Sequence, residues 1–233
     1  SSMDGGGSVP LSAVPILLQI LSTPNHYARD EVLTLLCDLV GSAYGAEGAA
    51  LGASIRESGG LLTLSWLLVE SDPSVQKQAL YIIANLASDA VDPLSHLTKS
   101  MLLQCESEYR LLPCLDSDDD EVLSYACAAV QNLCHDAIWS RVLLDQDVVG
   151  LLEELLDNKN EQVQHYAAGA IKNVVAAAAT IKAQGGGAPG REVPISLVSE
   201  AALLKVEERA RNASLKTIQE RIASRKIQRN VRA

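Results

Sequence analysis

Apolar positions along the chain fall into a repeated helical pattern. Three segments, VQKQALYIIANLA (75–87), VLSYACAAVQNLC (122–134) and VQHYAAGAIKNVV (163–175), align without a gap. Their apolar residues recur at three- and four-residue steps, the period of one face of a helix. Ala79, Ala126 and Ala167 share one column, and Ile83, Val130 and Ile171 another. A third column holds Asn85, Asn132 and Asn173, so the period is 47 and then 41 residues. A more divergent copy, ARDEVLTLLCDLV (28–40), places Asp38 in the Asn column. The small Ala column predicts that another helix backbone comes close there.

Each of these helices follows a polar break: TPNH, SDPS, DSDDDE or NKNE. Ser, Asp, Asn and Pro are the residues that cap and start helices. Upstream of each break lies a second amphipathic segment: VPILLQILS, LLTLSWLLVES, YRLLPCLDS and VVGLLEELLDN. A shorter helix precedes it in most copies, AIWSRVLLD being the clearest. Three helices per repeat predict an all-α, right-handed helical solenoid in which neighbouring repeats bury each other's faces. Residues 1–8 are set aside as a Gly-rich leader. The solenoid is expected over 9–182, a Gly/Pro linker over 183–194 and a basic helical tail over 195–233.

Composition agrees with the pattern. Hydrophobic residues make up 48% of the chain while aromatics are 3% and Phe is absent. That balance favours Ala- and Leu-rich helices over a sheet core. Five cysteines with no C-x-x-C pair predict free, mostly buried thiols in a reducing compartment. The cytoplasm is the expected location, with the nucleus as the alternative. No stretch of about 20 apolar residues reads as a membrane span, and the N-terminus does not read as a signal peptide.

DPSVQKQALYIIANLA and NEQVQHYAAGAIKNVV carry the third-helix pattern over a whole helix, and in it the chain resembles the armadillo-repeat family. The resemblance covers residues 9–182, about four repeats, the first lacking its short opening helix. It implies a binding fold whose third helices line a concave surface holding extended peptides or partner proteins. It also implies that Asn85, Asn132 and Asn173 hydrogen-bond the backbone of a bound peptide. Tyr81 and Gln131 on the same helices complete the candidate binding set. The other reading of the Asn residues is that they tie neighbouring helices together. Importin-like members place a Trp four residues before the Asn, to sandwich basic side chains. Here those positions are Tyr81, Ala128 and Gly169, and Asp38 leaves the first copy without the amide.

Other chemistry is hard to find. Asp116, Asp118 and Asp120 imitate the first ligands of a calcium loop, but Glu121 stands where a Gly is needed and Cys127 where the last Glu belongs. DSDDDE therefore reads as negative charge at a helix N-terminus. Cys134 and His135 are adjacent and so point about 100° apart on a helix, which makes them no nucleophile–base pair. Cys127 and Cys134 share a helical face and read as core. The four His show no metal-ligand spacing, and GGGAPG (185–190) follows a helix, so it is no phosphate loop. No catalytic residue, metal or cofactor is expected, and the protein is not expected to be an enzyme. Trp66 and Trp139 are both expected in the core.

Charge divides the chain. Residues 1–182 carry 9 Lys/Arg and 24 Asp/Glu, net −15, whereas 183–233 carry 10 and 5, net +5. In the tail, Leu215, Ile218 and Ile222 form an apolar stripe beside Lys216, Arg221, Arg225 and Lys226. Basic amphipathic helices of this kind bind calmodulin-like proteins, anionic surfaces or acidic grooves. IQRNVRA (227–233) resembles the first half of the IQ motif, with Ala233 in place of Gly, and IQERIAS (218–224) begins in the same way. That resemblance implies contact of Ile227, Gln228 and Arg232, with Ile218 and Ile222, to a calmodulin-like protein. The tail has two other readings: a cap on the end of the solenoid, through Leu203, Leu204 and Val206, or an occupant of the acidic groove of its own or a neighbouring molecule.

These features together predict a non-catalytic scaffold that binds a partner protein or peptide with a basic segment. The rival readings are an importin-like cargo carrier and an armadillo-type chaperone cofactor. Nucleic acid is excluded as a partner, because the solenoid repels phosphate and the tail has no aromatic platform.

Overall fold

The computed structural model describes residues 9–24, 26–146, 148–183, 202–208, 211–212 and 216. Among these residues every regular element is a helix. The calls on Ile218, Ile222, Ile227, Gln228 and Arg232, and with them both IQ-like segments, lie outside the described residues. So do the leader and the linker from 184 onward.

The four patterned segments form the third helices of the repeats: α2 (Arg29–Ser42), α5 (Pro73–Leu86), α8 (Asp120–Leu133) and α11 (Glu161–Ala183), with α1 (Val14–Leu21) before them and α3 (Ala46–Glu57), α4 (Gly60–Leu67), α6 (Ser95–Gln104), α7 (Glu108–Leu111), α9 (Ala137–Asp145) and α10 (Val148–Leu155) between them. The third helices stack side by side in chain order. The aligned columns explain why: Ala79, Ala126 and Ala167 are each 0% exposed, and a methyl group there lets adjacent helices approach closely. Ile83, Val130 and Ile171, and Leu86, Leu133 and Val174 one turn on, are buried around them. Burying each such aliphatic side chain is worth about 1.5–3 kcal/mol, so the repeated columns supply one continuous core.

The breaks start helices as expected in three copies. Asp72 accepts from the Ser74 N–H at 2.9 Å with Pro73 at the first helical position. Asp119 accepts from the N–H groups of Glu121 and Val122, and Asn160 from that of Gln162. The first copy departs from this: α2 has no side-chain cap on its Ala28 N-cap, whose N–H is bonded instead to His26 Nδ1. YRLLPCLDS also departs from a simple second helix. It breaks into α7 and a 3-10 stretch, Leu112–Asp116, because Pro113 has no N–H to continue the α ladder.

Trp139 is fully buried and donates its indole N–H to the Lys99 carbonyl at 2.8 Å. Trp66 is not a core residue. It is 54% exposed on α4, with the Arg110 guanidinium 3.9 Å from its ring centroid. Its position on the helical pattern does not separate a core face from a ridge, because α4 is apolar almost all round.

α11 runs to Ala183, one residue past the expected end of the solenoid. Residues 202–208 are helical and lie against the last repeat. Ala202 joins the core, Leu203 and Val206 pack on it, and Lys205 Nζ pairs with Asp157 at 2.6 and 2.7 Å. Leu204 points away, 57% exposed. The contact covers part of the end of the array, where a solenoid otherwise exposes apolar surface. Among the described residues no helix is long and apolar enough to cross a membrane.

Candidate partner-binding groove

Residues three, four and seven apart on a helix share a face. On α5, Asn85, Tyr81 and Gln78 are such a set; on α8, Asn132, Tyr125 and Glu121 lie on one line. Side-by-side stacking of α2, α5 and α8 turns these lines into a surface with a cleft of about 360 Å³. Thr34, Cys37 and Asp38 line it from α2, Lys77, Gln78 and Tyr81 from α5, and Glu121 and Tyr125 from α8. Tyr81 meets Tyr125 edge-to-face at 5.5 Å and 78°, a favoured aromatic geometry. Both phenols are pushed up in pKa, chiefly by burial.

The polar groups of the cleft are partly committed. Gln78 Nε2 donates to Thr34 Oγ1 at 3.1 Å, and the Cys37 thiol lies 3.7 Å from the Gln78 carbonyl, to which it donates. Burial, helped by the Asp38 charge, pushes the Cys37 thiol up to about 12, so it is protonated and unreactive near neutrality. Lys77 hydrogen-bonds Glu121 across the α5–α8 junction, a bond that raises the pKa of the Lys77 ammonium. Asp38 is exposed and makes no ion pair among the described residues. The cleft thus holds two carboxylates and one ammonium.

The three Asn residues do not behave alike. Asn132 Nδ2 donates to the Ala84 carbonyl and Asn173 Nδ2 to the Gln131 carbonyl, both at 2.8 Å. Each therefore bonds the residue that precedes the Asn position in the copy before, and ties adjacent third helices. Asn85 has Asp38 and not Asn in the copy before it, and its Nδ2 donates within its own helix, to the Tyr81 carbonyl at 2.8 Å. All three side chains are half-buried. An Asn amide carries two N–H groups and a carbonyl oxygen, so one bond leaves each with further capacity.

Gln131 lies along the surface, not out of it. Its amide covers Gly169, where a Cβ would stand 2.5 Å from the Gln131 Cδ and Oε1. A side chain at 169 would push that amide aside, and Gln131 Oε1 is buried without a protein partner among the described residues. Beyond it a second cleft, about 250 Å³, is lined by Cys134, His135, Ala137, Asn173, Ala176, Ala177 and Thr180. The two clefts place Tyr81 in the first and Asn173 in the second.

Asp38, Lys77, Glu121 and Tyr125 were not among the candidates taken from the sequence. The signal for two of them was present. Counting back from Asn132 by seven and eleven residues gives Tyr125 and Glu121, still on the same face. Lys77 and Asp38 become cleft residues only once α2, α5 and α8 are set side by side.

An Armadillo/beta-catenin-like repeat matches residues 110–135 of the chain, which hold the end of α7, the 3-10 stretch and α8. A search of curated proteins by sequence finds no match. Among solved structures, an engineered protein is similar at a TM-score of 0.64 and 24% identity, covering 86% of this chain and 85% of that one. A designed armadillo repeat protein is similar at 0.63 and 21%, covering 84% and 82%. Another designed armadillo repeat protein, solved in complex with the peptide (KR)4, is similar at 0.61 and 20%, covering 88% and 91%. With its stacked third helices and its matched repeat, the chain has the fold of an armadillo-repeat solenoid.

Proposed function

We propose that the chain is a non-catalytic interaction module that binds an extended, basic segment of a partner protein along its third-helix face. The observation that carries this reading is the cleft over α2, α5 and α8, where aromatic faces and carboxylates stand together. Tyr81 and Tyr125 offer π-faces to a Lys or Arg side chain, and Asp38 and Glu121 offer counter-charges. The unused amide groups of Asn85, Asn132 and Asn173 suit the backbone of an extended chain, which carries one donor and one acceptor per residue. The similar designed protein solved with (KR)4 supports a basic peptide as the ligand class. Five free cysteines support a reducing compartment, with the cytoplasm first. The basic tail is a second proposed contact: its IQ-like residues support a calmodulin-like protein, and its charge supports self-association.

The test is a fluorescence-anisotropy titration with labelled (KR)4 peptide and an acidic control of the same length. The basic peptide binds and weakens steeply as salt rises from about 50 to 500 mM, because exposed charges are screened. Tyr81→Ala and Asp38→Asn each weaken it by roughly threefold to tenfold. Equal binding of the acidic peptide, or no response to either substitution, refutes the reading.

A further inference from the structure

Lys77 is the one ammonium or guanidinium among the residues lining the first cleft, which otherwise presents Asp38, Glu121 and two phenol rings. It leaves α5 and hydrogen-bonds Glu121 on α8. Its side chain is 33% exposed and that of Glu121 is 63% exposed. The pair is therefore not sealed by packing, and an exposed ion pair is weakly held because water and salt compete with it. The cleft's second carboxylate, on Asp38, makes no such ion pair among the described residues. An ammonium already sitting on a groove carboxylate, in a chain whose residues 1–182 carry 24 acidic and 9 basic side chains, has the geometry of a bound ligand's lysine.

We infer that Lys77 is a built-in competitor for the ligand's own cation. Its ammonium holds Glu121 until a Lys or Arg of the partner displaces it, so Lys77 sets the affinity of the groove and selects for ligands cationic enough to win the exchange. This rests on the basic-segment reading above and assigns its regulation to one residue. Displacement breaks one exposed ion pair and forms another, and Lys77 swings to solvent on its four-carbon stem. No backbone movement is required. The Lys77 ammonium also repels an incoming cation from the neighbouring Asp38, so its removal acts on both carboxylates.

The experiment compares wild type, Lys77→Met, Lys77→Arg, Lys77→Met/Glu121→Gln and Arg141→Gln in the same labelled (KR)4 titration. Lys77→Met keeps the apolar stem and removes the charge. It is expected to bind roughly threefold to tenfold tighter at about 50 mM salt, with the gain fading at high salt. Lys77→Arg stays near wild type, and adding Glu121→Gln to Lys77→Met removes most of the gain. Arg141, on α9 and paired with Asp145, controls for net charge: Arg141→Gln changes it by the same amount away from the cleft. The inference is overturned if Lys77→Met leaves affinity unchanged or weakens it, or if Arg141→Gln tightens binding equally. Those outcomes leave the basic-segment reading standing when wild type binds the peptide. Absence of binding by both wild type and Lys77→Met removes the basic-segment reading and the inference with it. Thermal melts by circular dichroism confirm that each variant is folded, which is expected because none of these side chains is in the core.

Discussion

Replacing Asp92 by Ala is expected to destabilise the solenoid severely, through a charge left buried between α3 and α6. Arg56 on α3 reaches across to α6, where its Nη1 donates to Asp92 Oδ2, just before the helix, at 2.6 Å and to Thr98 Oγ1, within it, at 2.8 Å. The two side chains are 5% and 0% exposed. Asp92 also accepts from the Leu94 N–H through Oδ1 at 2.8 Å. The pair fits because residue 52 is Gly: a Cβ there would stand 2.2 Å from Asp92 Oδ2. Arg56 Nη2 is already buried without a partner, so the guanidinium has little to fall back on. In Asp92→Ala one neutral hydroxyl remains for a full buried charge. Breaking a buried pair in this way costs about 3–5 kcal/mol. For a domain of this size that lowers Tm by about 6–20 °C.

The assay is urea unfolding followed by circular dichroism, with hydrogen exchange to locate the loss, since repeat arrays need not unfold in one step. The loss should centre on α3 and α6 and should not be rescued by salt, because the pair is dry. Arg56→Met/Asp92→Ala should be less destabilised than Asp92→Ala alone, as no unpaired charge remains. A cost below about 1 kcal/mol for Asp92→Ala, or strictly additive single effects in the double variant, refutes the reasoning.

Two further outcomes follow from other parts of the fold. Asp119→Ala removes the acceptor for two N–H groups at the start of α8 and should cost about 1 kcal/mol in the same urea assay, rescued in part by Asp119→Ser. Burial pushes the thiols of Cys127 and Cys134 up to about 12 from 9.0. They should therefore resist a thiol reagent at pH 8 until the chain is unfolded. Because they ionise earlier in the unfolded chain, stability should fall from about pH 9 towards pH 12, by about 1.4 kcal/mol per pH unit for each thiol. Labelling at the rate of a free thiol, or a flat stability over that range, would contradict this.

The third helices were legible because one physical demand repeats in them. A stacked helix needs an Ala where its neighbour crosses and branched aliphatics on either side, and that demand writes itself into three gapless segments. The second helices carry a weaker mark. Their apolar residues face both a core and a ridge, so periodicity alone puts Trp66 inside, where the structure sets it outside under Arg110. Pro113 similarly ends α7 earlier than the apolar pattern suggests.

The groove was legible in outline and not in content, for a reason that the Asn column illustrates. From the sequence, tying neighbours and holding a peptide look like rival duties. In the structure Asn132 and Asn173 use one N–H on the previous third helix and keep the rest of the amide on a half-buried surface, so a single residue can serve both. A substitution at Asn132 therefore cannot separate binding from stacking. Asn85 can, because among the described residues its amide bonds within α5 and its loss leaves the α5–α8 junction tied by Asn132. What one sequence column cannot carry is the identity of the neighbour across the junction. Tyr81 against Tyr125, Gln131 over Gly169 and Lys77 on Glu121 are each made by residues 38 to 44 positions apart. The character of the groove is set by such pairs, two at the α5–α8 junction and one at the α8–α11 junction.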